Sequence, residues 1–270
     1  VAVGFGSLSA SHVISGTVVT ATCPTGTVPG DLLVFFACND GPNIYSTWDA
    51  TLTPLYVPTA ADFSADAGHQ QDLGSASWFR FATVADVAGT TTYTATKAGS
   101  ASTQPNQIVC IRYGGALGGY SPGAATLNSS TPSAIASNWA YRQGFTPGVT
   151  YGLTSANAAC PAPVNPTDTI NPTDLVLRAY AFGSNATNSG FTMSAAPAGW
   201  TQRGSGSTIT SDTTKFNVGM LICDRFGATD TATVTASVAG NFDIYTAVFQ
   251  ATPVPQPPTN RARLVRASHW

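Results

Sequence analysis

None of the 270 residues of this chain is a glutamate. All 13 acidic side chains are aspartates, and lysine occurs only at Lys97 and Lys215. Glu and Lys are among the residues that hold helices together, whereas Thr, Val, Tyr and Phe, abundant here, sit best on a pleated surface. Only 9% of the chain is charged, against roughly a quarter in an ordinary globular domain. The alphabet therefore disfavours helix from the start and predicts an all-β protein.

The chain also repeats an order of features, with little identity in between. "TCPTGTVPGDLLVFFACN" at 22–39 is answered by "ACPAPVNPTDTINPTDLVLRAYAFG" at 159–183, so that Cys23-Pro24 matches Cys160-Pro161 and Asp31-Leu32 matches Asp174-Leu175. A tryptophan follows each, Trp48 and Trp200, and then a long strand-like segment, "SASWFRFATVAD" against "KFNVGMLICDRF". A Thr-rich segment comes next, "TTTYTATKAG" against "TATVTASVAG", and an apolar one closes each half, "NQIVCIRYGG" and "FDIYTAVFQA". The Thr-rich segments alternate, as a sheet with one wet face requires; "DLLVFFAC" does not, as a strand covered on both faces requires.

Short segments of this kind, bounded by Gly, Pro, Asn and Asp, predict about ten strands and an antiparallel, jelly-roll-like β-sandwich. Two arrangements satisfy the repeat: tandem small sandwiches, or one sandwich to which each half gives about five strands. The segment between the halves carries Trp139, Tyr141 and Phe145, which need cover, so the single sandwich over residues 1–250, with pseudo-repeats at about 15–115 and 149–250, is the expectation. Residues 251–270 read differently. "TPVPQPPTN" holds four prolines and predicts a polyproline II spacer. "RARLVRASHW" then forms an extended basic C-terminal arm.

Charge excludes some functions. The formal net charge is −2, with no basic face announced in the sequence, so nucleic acid is not an expected partner. The body is acidic and the arm basic, and opposite signs let the arm lie on an acidic surface, including another copy of the body. The longest apolar run, Leu32 to Cys38, is too short to span a bilayer, and the first residues lack the basic and apolar regions of a signal peptide. Five cysteines without CxxC spacing read as buried thiols rather than a disulfide or metal framework.

Chemistry has few candidates. His12, His69 and His269 lie in no recognisable nucleophile or metal motif. The acids Asp62, Asp66 and Asp72, with His69 among them, cluster in a polar stretch that reads as a solvated loop; a carboxylate pair or a Ca²⁺ site there lacks the expected spacing. No cofactor is expected. Trp48 and Trp200 could stack on a sugar, with Asp62 and Asp66 nearby, but their recurrence favours covering the ends of a core. The arm offers better-defined contacts. Arg261, Arg263 and Arg266 suit carboxylates or backbone carbonyls, Leu264, Val265 and Trp270 suit apolar pockets, and "ARLVRA" suits addition to a sheet edge.

The ordered pattern "GTVPGDLLVFFACNDG", "YTATKAG", "IVCIRYGG", "NPTDLVLRAYAFG", "PAGWTQRG" and "CDRFGATDTATVTASVAG" resembles β-sandwich virion proteins of tailed bacteriophages, especially minor tail proteins of actinobacterial phages, over about residues 15–250. The resemblance implies a non-enzymatic structural component of the particle, assembled in the host cytoplasm and held beside other virion proteins and copies of itself. It brings no catalytic residues. A capsid decoration protein, a carbohydrate-binding or adhesion module touching a host glycan, and an enzyme, in that order, are the alternatives.

Overall fold

A computed structural model describes residues 4–13, 16–40, 45–57, 73–98, 105–114, 120–122, 139–143, 157–160, 172–184, 193, 195–206, 217–228, 232–235 and 241–251. Within them every regular element is a strand. The first half gives β1 (Gly4–Val13), β2 (Val18–Thr22), β3 (Leu32–Asp40), β4 (Tyr45–Trp48), β5 (Thr53–Tyr56), β6 (Leu73–Phe81), β7 (Thr92–Lys97) and β8 (Asn106–Gly114). The second gives β9 (Tyr120–Pro122), β10 (Trp139–Gln143), β11 (Asn157–Cys160), β12 (Leu175–Ser184), β13 (Thr201–Gly206), β14 (Asn217–Phe226), β15 (Ala232–Thr235) and β16 (Asn241–Ala251). About ten strands were expected and sixteen are described, because the glycine- and proline-punctuated edges hold short strands whose patterns are too brief to read.

The architecture is a stack of antiparallel sheets. A five-stranded sheet in the order β1-β8-β3-β6-β5 faces a second whose main path is β10-β16-β12-β14-β13, with β9 pairing the far end of β16. A three-stranded sheet, β2-β7-β4, covers the outer face of the first, and the pair β11-β15 belongs to the second half. The sandwich thus has two inner sheets in contact and additional strands outside them, where a simple two-sheet sandwich was expected. "DLLVFFAC" shows why. Leu32, Val34, Phe36 and Cys38 point into the core between the inner sheets, while Leu33, Phe35 and Ala37 point into the core beneath the three-stranded sheet. Period-2 alternation places both sets on one strand, and burial on both faces leaves no polar side chain from Leu32 to Cys38. Each large side chain so buried contributes about 1.5–3 kcal/mol.

The inner sheets meet through matching positions. In the first, Leu32 lies opposite Phe81 and Tyr113; in the second, Leu175 lies opposite Phe226 and Phe249. Asp31 accepts a backbone bond from Ala82 N–H through its carbonyl at 2.7 Å, and Asp174 accepts one from Gly227 N–H at 2.9 Å. Across the shared core the Tyr113 hydroxyl donates to Asp224 at 2.8 Å. Register puts Phe249 where Tyr113 stands and Phe79 where Asp224 stands, and those two rings pack edge to face with centroids 6.0 Å apart. The same two positions on each sheet therefore touch twice, as the two sides of an isologous interface do.

Candidate functional site

The end of the stack where β3 and β12 begin concentrates much of the described polar chemistry, and its residues arise from two crossovers in the first half. Residues 23–31 carry the chain from the outer sheet into β3, and residues 82–91 carry it from β6 back out to β7. Each crossover holds one buried aspartate. Each aspartate is met by an arginine from the outer face of the inner sheet.

Asp31 opens β3 from the turn "TVPGD", in which Gly30 adopts a positive φ of 91°. Its carboxylate accepts from Val28 N–H at 3.0 Å and from Arg112 Nε at 2.5 Å. The arginine lies in a slot of glycines: a Cβ on Gly6 would stand 2.6 Å from its Nη1, and one on Gly114 would stand 3.0 Å from its Nη2. The second node is Asp86, which accepts from the Tyr93 hydroxyl at 2.6 Å, from Thr83 N–H at 2.6 Å and from Arg80 at 2.8 Å. Burial alone would raise the Asp86 carboxyl, but the Tyr93 and Thr83 hydrogen bonds and the Arg80 charge outweigh it and hold the carboxyl below its usual range. Tyr93 is pushed well up, by burial first and then by donation to Asp86.

A third node joins the halves. Asp224 accepts from Arg203 Nε at 2.8 Å as well as from Tyr113, and the Arg203 guanidinium lies 4.7 Å above the ring centre of Phe5. Burial, then the neighbouring Asp224 charge, raises the Tyr113 hydroxyl far above its ordinary value. In the second half Arg178 is fully buried on β12, its guanidinium 4.1 Å over the Trp200 ring.

The Asp31, Asp86 and Asp224 carboxylates each accept from an arginine and at least one further donor, which ties a crossover or the junction of the halves to a neighbouring strand. Cys23, Cys38, Cys110 and Cys223 are buried thiols, and burial pushes the Cys110 thiol up, away from the reactive thiolate. His12 stands exposed on the edge strand β1, opposite Gln107, and partial desolvation of its ring pushes it down. Among the described residues no group of three His, Cys, Asp or Glu side chains could hold a metal ion, and no described helix is long and apolar enough to cross a membrane.

The sequence candidates fall as follows. Trp48 closes β4, is partly buried and packs on Trp78, ring centroids 5.9 Å apart, against the core under the three-stranded sheet. Trp200 precedes β13, is buried and has the Arg178 guanidinium over one ring face. Asp62, Asp66, Asp72 and His69 lie outside the described residues, as do Arg261, Arg263, Leu264, Val265, Arg266 and Trp270 of the arm. Sequence reading saw Asp31 and Asp174 as strand openers but missed the arginines that meet the acids. The available signal was an arginine one or two residues before the end of three long strands, Arg80 in β6, Arg112 in β8 and Arg225 in β14. Comparison with protein-family models, with curated protein sequences and with solved structures returned no match.

Proposed function

We propose that this chain is a structural protein of a tailed-bacteriophage particle, a minor tail protein whose β-sandwich body is displayed on the virion and whose basic arm, residues 261–270, docks it there beside other virion proteins. The observation that carries a structural reading is the commitment of Asp31, Asp86 and Asp224 to arginines and hydroxyl or backbone donors at the crossovers and at the junction of the halves. Such nodes fix how strands cross between sheets. They leave a stiff body suited to repeated copies on a particle, and the arm, absent from the repeat, is free to serve attachment.

The particle itself enters through the order of motifs from "GTVPGDLLVFFACNDG" to "CDRFGATDTATVTASVAG". Burial of Trp200 beneath Arg178 weighs against a sugar platform at that tryptophan, since stacking needs an open ring face. The test is peptide mass spectrometry of density-purified particles from the producing lysate, with heads and tails separated. Peptides of this chain in the tail fraction support the reading. Their presence only in heads would make it a capsid decoration protein, and their absence from both would end the virion reading.

A further inference from the structure

Large apolar side chains stand exposed where the two crossovers turn: Val28 at 53%, Val84 at 87% and Val87 at 54%. Single exposed valines are ordinary; these three stand on two turns that are hydrogen-bonded to each other, which groups them at one end of the stack. The turns are laced together, Gly30 N–H to the Ala82 carbonyl at 2.7 Å, Ala82 N–H to the Asp31 carbonyl at 2.7 Å and Gly89 N–H to the Cys23 carbonyl at 2.9 Å. Asp31 and Asp86 pull inward from "TVPGD" and "TVADV" and so leave the valines outside. Phe226, 40% exposed at the end of β14, lies at the same end of the stack, as the Tyr113–Asp224 bond between the neighbouring strand ends requires. A patch pinned in this way is preformed and loses little entropy when covered.

What covers it follows from where β16 stops. Phe249 pairs with Leu175, the first residue of β12, and Ala251 lies two residues farther on, so the chain leaves the body at this same end. The segment 252–260 is proline-rich and spans roughly 28 Å if extended as polyproline II. Stacked sheets lie about 10 Å apart, so the two crossovers are well within reach. The opposite end, a strand of nine to eleven residues away or roughly 30 Å at 3.3 Å per residue, would take up the whole spacer. Leu264 and Val265 are the adjacent aliphatic residues that the spacer delivers. Because the spacer is anchored at Ala251, docking at this end needs no second chain.

We infer that Leu264 and Val265 dock within their own molecule on the apolar end formed by Val28, Val84 and Val87. The inference goes beyond the particle reading and does not depend on it, because it names where the arm rests in the isolated chain. Docking there also covers the arm's apolar anchors until another surface competes for them.

The test uses the full chain with V84C and L264C together, exposed to a mild thiol oxidant, beside a control with V18C and L264C. Val18 is 45% exposed and opens β2, away from the crossovers. The expected product is a cross-link within one chain, of monomer mass and reversed by reductant, formed roughly ten-fold or more in excess of the control. A cross-linked dimer, no cross-link, or equal yield from the control would overturn the inference. Hydrogen exchange gives an independent reading: amides of residues 82–90 should exchange several-fold more slowly in the full chain than in a chain ending at Ala251, and equal rates would contradict docking.

Discussion

Asp31 and Asp86 stand on opposite journeys of the chain, one entering the inner sheet and one leaving it, and each is bound by an arginine that the inner sheet sends outward. Removing one carboxylate leaves a guanidinium in a site shaped for an ion pair. Asp31→Ala should lower stability by about 2–3 kcal/mol, read as a shift in the urea midpoint at unchanged slope. Gly6→Ala should reproduce part of that loss, because its Cβ would stand 2.6 Å from Arg112 Nη1 and push the guanidinium off Asp31. Asp86 adds a dependence on pH. Its folded carboxyl lies below the ordinary value near 3.9, so its contribution is complete above that value and is lost as pH falls through the folded one. Asp86→Asn should therefore flatten the loss of stability below pH 4 relative to the parent chain. An unchanged acid limb would show that Asp86 does not carry it.

At the scale of elements, the inner sheets meet through one polar and one aromatic pair at matching register positions, Tyr113 with Asp224 and Phe79 with Phe249. Tyr113→Phe removes a hydrogen bond to a buried carboxylate and should cost about 1.5–3 kcal/mol. Phe79→Ala opens a cavity in the shared core and should cost about 3–5 kcal/mol. Much of this architecture was legible as strands, since β3 shows its double burial in "DLLVFFAC" and β7 shows its wet face in alternating threonines. The layering was not. Period-2 patterns tell which side of a strand is apolar but not which sheet lies against it, and the Tyr113–Asp224 bond joins residues 111 positions apart. Arg178 was illegible for a related reason: inside "LVLRAYAF" it looks like an interruption, and the Trp200 ring beneath its guanidinium is brought there only by the fold. Of the candidate site residues, only Trp48 and Trp200 fall among those described, both covering core beneath or beside neighbouring side chains.

The whole molecule follows from sharing one core. Leu32, Val34 and Phe36 of the first half pack with Leu175, Leu177 and Ile222 of the second, so neither inner sheet is covered without the other. Calorimetry should therefore show one cooperative transition, with calorimetric and van't Hoff enthalpies equal; two resolved transitions would mean that the halves are stable separately. In the proposed function the arm is the part that attaches this body to a particle, and its contribution is read most directly by sedimentation. Purified particles lacking the protein are mixed with the full chain, with a chain ending at Ala251 and with a chain in which Arg261, Arg263 and Arg266 are replaced by alanine. The full chain alone should sediment stoichiometrically, while the shortened chain stays in the supernatant and the arginine variant binds weakly. Equal sedimentation of the full and shortened chains would contradict docking through the arm, and sedimentation of neither would contradict the particle.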